Sequence, residues 1–218
     1  MKKWLYKAEY KYGKYCIPNL MLVIVIGQAM VYVADMFAPS AGLSSTMALF
    51  WPSVMQGQVW RVFTFLFVPQ TSSSVIWLLI SLYFYYFLGT TLERTWGDFK
   101  FNVYYFCGAI GAVVAAALTG YGSNFYLNLS LFLAFAMLYP DMQVLLFFII
   151  PVKVKYLAWI YAAVCAFNFV IGGMTARVSI IFSLINFFLF FGSDFFTSVK
   201  TYFKYSKTRR QWRNNNRR

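Results

Sequence analysis

Five stretches of this chain, residues 18–37, 75–92, 99–119, 152–171 and 178–197, are mostly apolar and about as long as a bilayer requires. Crossing the hydrocarbon takes about 20 predominantly apolar residues in a helix, so each reads as a membrane span. A sixth stretch, 125–139 (FYLNLSLFLAFAMLY), is shorter and carries Asn128 and Ser130. That length suits a central helix enclosed by the others. Residues 142–150 are left as a short apolar connector ending at Pro151. Six spans is the leading count, and five plus a re-entrant segment is the alternative. Composition agrees: only 11% of the 218 residues are charged, against about a quarter in a soluble domain. The expected fold is an all-α polytopic membrane protein.

Charge then sets the orientation. Five lysines precede the first span, three lysines and five arginines follow the last, and Arg94, Lys100, Lys153 and Lys155 join them. Together these put 17 of the 19 basic residues on one side. Arg61 and Arg177 fall on the other. The excess of Lys and Arg predicts that both termini are cytoplasmic. No cleavable secretory signal is visible, so the first apolar run reads as a retained span. Residues 1–17 read as a basic interfacial segment, 18–197 as the membrane domain and 198–218 as a basic tail. Such ends attract anionic lipid headgroups, which is a duller account of them than nucleic-acid binding, and none is expected. The long first loop, roughly 38–74, is too aromatic and apolar for water, and Pro52 and Pro69 break it. It is expected to lie in the membrane interface as short helices.

Two motifs carry more specific information. The first loop contains "GQVWRVFTFLF", with Trp60 and Arg61. The junction of the second and third spans reads "LERTWGDFKFNVYYF", with Glu93, Arg94, Trp96 and Gly97. On a six-span topology these resemble the rhomboid superfamily, which contains intramembrane serine proteases and inactive relatives such as the derlins. The resemblance covers spans one to six and implies a six-transmembrane-helix bundle with a membrane-submerged first loop. It also implies that Trp60 and Arg61 position that loop, and that Glu93, Arg94, Trp96 and Gly97 form a structural motif joining helix ends. A Glu left unpaired at a membrane boundary is costly, so Glu93 and Arg94 should find partners. Gly97 would let the chain turn sharply into the third span.

Catalysis does not follow. An active rhomboid needs a serine in a Gly-x-Ser-Gly turn and a histidine to take its proton. Here "TGYGSNFYLNL" opens the fourth span, and the chain contains no histidine. Rhomboid proteolysis is therefore excluded. Every lysine falls at the predicted cytoplasmic face or in a tail, and Asp35 and Asp194 end their spans at opposite interfaces. Neither a Ser-Lys dyad nor an aspartyl pair results. Cys16, Cys107 and Cys165 are dispersed, giving no disulfide framework and no metal-site spacing. No cofactor or metal is called for.

Gly108, Ala112, Ala116 and Gly120 recur every four residues on the third span. Such a stripe lets another helix approach closely, and internal packing is preferred to a client-binding or dimer face, though a homo-oligomer is allowed. The sixth span is bulky, without the small-residue repeat of other superfamily members, so its packing must be looser or differently filled. Asn128, Ser130, Ser183 and Asn186 are polar groups at membrane depth. They either hydrogen-bond across the fourth and sixth spans, the preferred reading, or line a cavity. The functional expectation from the resemblance is a pseudoprotease that binds transmembrane segments of client proteins through a lateral opening near spans two and five. It would thin the bilayer locally and serve membrane-protein quality control or trafficking. A structural subunit of a complex and a small six-span transporter are the alternatives. The compact form favours a bacterial inner membrane, with the endoplasmic reticulum as the other location.

Overall fold

The computed structural model of the protein describes residues 3–70, 74–146 and 150–192. The chain opens with α1 (Lys3–Tyr12) and enters the bundle as α2 (Leu20–Phe37). Loop 1 follows as short pieces: α3 (Leu43–Met47), β1 (Leu49–Phe50), α4 (Trp51–Met55) and α5 (Arg61–Thr64). Two long helices, α6 (Val75–Trp96) and α7 (Asp98–Thr119), meet at a single residue. Then come β2 (Tyr121–Gly122), α8 (Phe125–Leu138), a hairpin of β3 (Gln143–Leu146) and β4 (Ile150–Lys153), and α9 (Val154–Ile171). A last helix, α10, spans Met174–Gly192. Helices α2, α6, α7, α9 and α10 are each long and apolar enough to cross a membrane.

The 14 residues of α8 extend about 21 Å, short of the roughly 30 Å hydrocarbon core. It survives because it is the hub. Its sequence is apolar on every side, and it is buried nearly all round from Leu127 to Ala136, as expected of a helix without a polar face. Helices α6, α7 and α9 pack directly against it, and α10 bonds to it through Ser183 and Asn186.

Three boundaries differ from the sequence reading. The second span does not stop at Leu92: α6 runs through Glu93, Arg94 and Trp96, so the polar motif is its last turn. The sixth span starts at Met174 instead of 178, and residues 193–197 lie outside the described residues. The 142–150 connector is part of an antiparallel hairpin in which Gln143 pairs with Lys153 and Leu146 with Ile150.

Packing between helices relies on matched sizes. Gly89 of α6 leaves room for Met21 of α2; a Cβ at that position would lie 2.1 Å from Met21 Cγ. On α7, a Cβ at Gly108 would sit 2.9 Å from Asn186 Nδ2, and one at Gly111 would meet Phe182 Cβ at 3.6 Å. The small residues that α10 lacks are therefore supplied by α7. The predicted stripe divides along its length. Gly108 and Ala116 are buried, and Ala112 and Ala116 also receive β2, where a Cβ at Gly122 would lie 3.2 Å from Ala112 O. A Cβ at Gly120 would meet nothing within 4 Å, and its carbonyl accepts the Trp51 N–H of loop 1 at 2.8 Å. Gly120 ends α7 with φ +87°, a left-handed turn suited to glycine.

Candidate functional site

At the end of the bundle holding α1, a polar seam ties helix ends together. Glu93, 3% exposed, accepts the Leu20 N–H at 2.9 Å through Oε1. The first N–H groups of a helix have no partner within it, and α2 has no capping side chain of its own. The last turn of α6 thus caps α2. Lys100 Nζ pairs with Glu9 of α1 at 2.9 Å, and Asn102 Nδ2 donates to the Ile17 carbonyl at 3.0 Å. Gly97, at φ +85°, makes the one-residue turn between α6 and α7. The Trp96 ring is wedged among Phe101, Tyr104 and Phe191, with centroids 6.5, 5.4 and 5.1 Å away. Arg94 departs from the expectation that it has a partner: it is exposed and has none among the described residues. Glu93 lies on the buried side of the last turn of α6 with Leu92 and Trp96, whereas Arg94 and Thr95 lie on its exposed side. Beyond the seam, Asp141 hydrogen-bonds Lys155 at 2.9 Å and Lys153 at 3.5 Å. These bonds hold its carboxyl below the usual range.

At the opposite end, Arg61 organises loop 1. Its Nη1 donates to the Ser45 and Ala48 carbonyls, both at 2.7 Å, and its Nε to Gln58 Oε1 at 2.7 Å. Trp60 does not share this role through its side chain, which is 54% exposed. Arg177 does for α9 what Arg61 does for α3, donating to the Phe169 and Val170 carbonyls at 2.9 and 2.8 Å. Both arginines that break the charge asymmetry are therefore engaged by helix-terminal carbonyls. Loop 1 is stitched to the α7–α8 turn by the Leu49–Gly122 and Phe50–Tyr121 pairs. Asn124 donates to Val68 O at 2.8 Å, and Gln28 of α2 to Leu66 O at 2.9 Å. Ser123, where a rhomboid nucleophile would be sought, accepts the Phe125 N–H at 3.2 Å.

Of the four polar residues at membrane depth, Asn128 and Ser130 of α8 face different sides, and Ser183 and Asn186 of α10 join Ser130's side. Ser130 faces α7 and α10. Its Oγ donates to Leu127 O at 2.9 Å and accepts from Asn186 Nδ2 at 3.3 Å, while its carbonyl accepts the Tyr104 hydroxyl at 2.8 Å. Asn186 Nδ2 also reaches Tyr104 O at 3.5 Å, and Ser183 donates to Tyr126 O at 2.5 Å. Asn128 belongs to neither network. It looks the other way, into a cleft of about 660 Å³ between α6 and α9. Trp77, Phe84 and Phe87 of α6 form one wall and Leu157, Ile160 and Tyr161 of α9 the other. Phe132 and Asn128 of α8 form the floor, and the hairpin contributes Val144. The cleft exists because α9 packs on α8 and β4 rather than on α6; of the residues of α9, only Val154 is buried.

Sequence reasoning missed Gln28, Lys100, Asn102 and Asn124 as tethers. Gln28 was a visible signal, a lone amide in an apolar span. Asn124 was hidden among turn residues.

Helices of this length and apolarity, ordered around a buried central helix, define a polytopic α-helical integral membrane protein. More particularly, the chain belongs to the eukaryotic integral membrane protein family DUF1751, which matches residues 19–192. No curated protein matches the sequence. A eukaryotic family does not favour the bacterial inner membrane expected from the compact six-span form.

Proposed function

We propose that the chain is a catalytically inactive rhomboid-like protein that holds transmembrane segments of other membrane proteins in the α6–α9 cleft. The observation that carries this reading is the cleft itself, open sideways between two membrane-crossing helices and walled by aromatic and aliphatic side chains. The outward flanks of α6 and α9 are apolar, including Trp77, Leu79, Trp159 and Ile160, so an occupant would arrive from the bilayer. Without a histidine, no Ser-His dyad is available to cleave it. Binding without proteolysis suits retention, handover or quality control of membrane proteins.

Local thinning of the bilayer belongs to the same reading. Helices α2 and α9 have 18 residues each, about 27 Å, slightly less than the hydrocarbon thickness of about 30 Å. Loop 1 turns Phe50, Met55 and Phe63 outward, which suits submersion in the interface. A shortened membrane lowers the barrier for polar segments of a client. The charge asymmetry supports cytoplasmic termini whose basic residues meet anionic lipids, and the endoplasmic reticulum is the favoured location in a eukaryotic cell.

Photocrosslinking side chains placed at Trp77 and Ile160 in native membranes test the reading, with Ile110 on the outer side of α7 as control. Capture of single-span membrane proteins at the first two positions, absent at Ile110 and lost on Arg61→Ala, is the expected result. Capture of lipid alone would sink it. A single constant polytopic partner would instead make the chain a structural subunit.

A further inference from the structure

The cleft floor carries an uncompensated polar atom. Asn128 is 2% exposed, it lines the cleft, and its Oδ1 has no hydrogen-bond partner. Buried polar groups in native proteins are nearly always bonded, and one that is not calls for an explanation. Gln70, Asn102, Tyr105 and Asn186 also have a buried atom without a partner. Three of these differ in kind, because Gln70, Asn102 and Asn186 each hold another bond through the rest of the amide. Tyr105 does not line the cleft. Of these five, Asn128 alone lines the cleft, and its side chain makes no hydrogen bond among the described residues.

We propose that Asn128 is the specificity-determining residue of the cleft, selecting client helices that present Ser, Thr, Asn or Gln at its depth. The inference rests on the reading of the cleft as a client site and adds which clients it prefers. A lipid chain would fill the apolar walls and leave the amide unsatisfied. A headgroup belongs at the interface, whereas Asn128 is the fourth residue of the short α8, about 4.5 Å along the helix from its first residue. A side chain on a neighbouring helix reaches that depth. Ser, Thr, Asn and Gln each both donate and accept, so either amide orientation finds a complement. Phe84, Phe132 and Ile160 line the cleft around it, so the bond would form among apolar walls.

The test uses the full-length chain in membranes with a photocrosslinker at Ile160 and co-expressed single-span reporters. The reporters are a polyleucine span and a series in which one Asn walks along it. Interhelical hydrogen bonds in membranes are modest, so about a three- to tenfold preference for Asn reporters is expected, greatest when the Asn lies near the depth of Asn128. Asn128→Leu should abolish the preference while retaining capture of polyleucine, and Asn128→Gln should restore part of it. A preference that survives Asn128→Leu overturns the assignment and leaves the client site standing. Equal capture of all reporters by the unmodified chain does the same. Failure to capture any reporter removes both the assignment and the reading beneath it. Misfolding of Asn128→Leu would also overturn the assignment, because the bundle itself would then need the amide.

Discussion

The two sides of α8 are built by opposite rules. Toward α7 and α10, polar groups are linked: Ser130, Asn186, Tyr104 and Ser183 bond one another or neighbouring carbonyls. The helices there meet through glycine and alanine. Toward α6 and α9, the helices stand apart, the walls are large and apolar, and Asn128 Oδ1 has no partner. Burial is the same on both sides. What differs is compensation: Asn186 makes bonds through Nδ2 although its Oδ1 makes none, whereas the Asn128 side chain makes no hydrogen bond among the described residues. A buried polar group without a partner costs stability. The contrast teaches that polar residues two positions apart on one helix can have different work: Ser130 is accounted for by the packing of the bundle, and Asn128 is not.

Substitutions should expose this difference in order of the partners lost. The largest effect belongs to Glu93→Ala in the seam, which strands the Leu20 N–H at a buried helix start. Loss of a charged acceptor there should destabilise by about 2–3 kcal/mol, read as thermal unfolding in detergent, with Glu93→Gln milder. Asn186→Leu removes bonds to Ser130 and Tyr104 and should lose about 0.6–2 kcal/mol in the same assay. Asn128→Leu, chemically the same change on the other side of the hub, should be neutral or slightly stabilising, because it removes an unsatisfied group. Equal losses at 128 and 186 would break the comparison.

Asp141 should have the smallest effect. Its lowered pKa means that its pairing with Lys153 and Lys155 favours the folded state above the ordinary carboxylate pKa of about 3.9. That contribution disappears as pH falls through the lowered value. The group is fully exposed, so solvent screens it. Asp141→Asn should barely shift the melting temperature at pH 7 and match the unmodified chain at the acid end.

Much of the frame was legible in the sequence because an apolar run of bilayer length has few alternatives in lipid. The ends of the runs were less so. The second span read as ending at Leu92 with Glu93 to Gly97 joining helix ends, yet α6 runs one turn further to Trp96, which packs on Tyr104 and Phe191. The hairpin was hidden because a short apolar run before a proline has no distinctive period. Asn128 and Ser130 were recognised together, and their separation was computable: two residues on a helix differ by about 200°. The walls of the cleft were not legible. They depend on α9 leaning on α8 instead of α6, a choice made by side-chain fit across elements far apart in sequence. Small residues on α7 pointed to close packing, but not to which bulky helix would meet them.

Closing the cleft tests the central claim most directly. In a chain with Cys16, Cys107 and Cys165 replaced, cysteines at Tyr83 on α6 and Ile160 on α9 would be joined by bifunctional maleimides, and client capture scored with a photocrosslinker at Trp77. Capture should fall to background when the linker is short, and recover with one long enough to leave the gap open, while thermal stability holds in both. Undiminished capture with α6 and α9 held together would contradict the account, since client segments would then be binding elsewhere on the molecule.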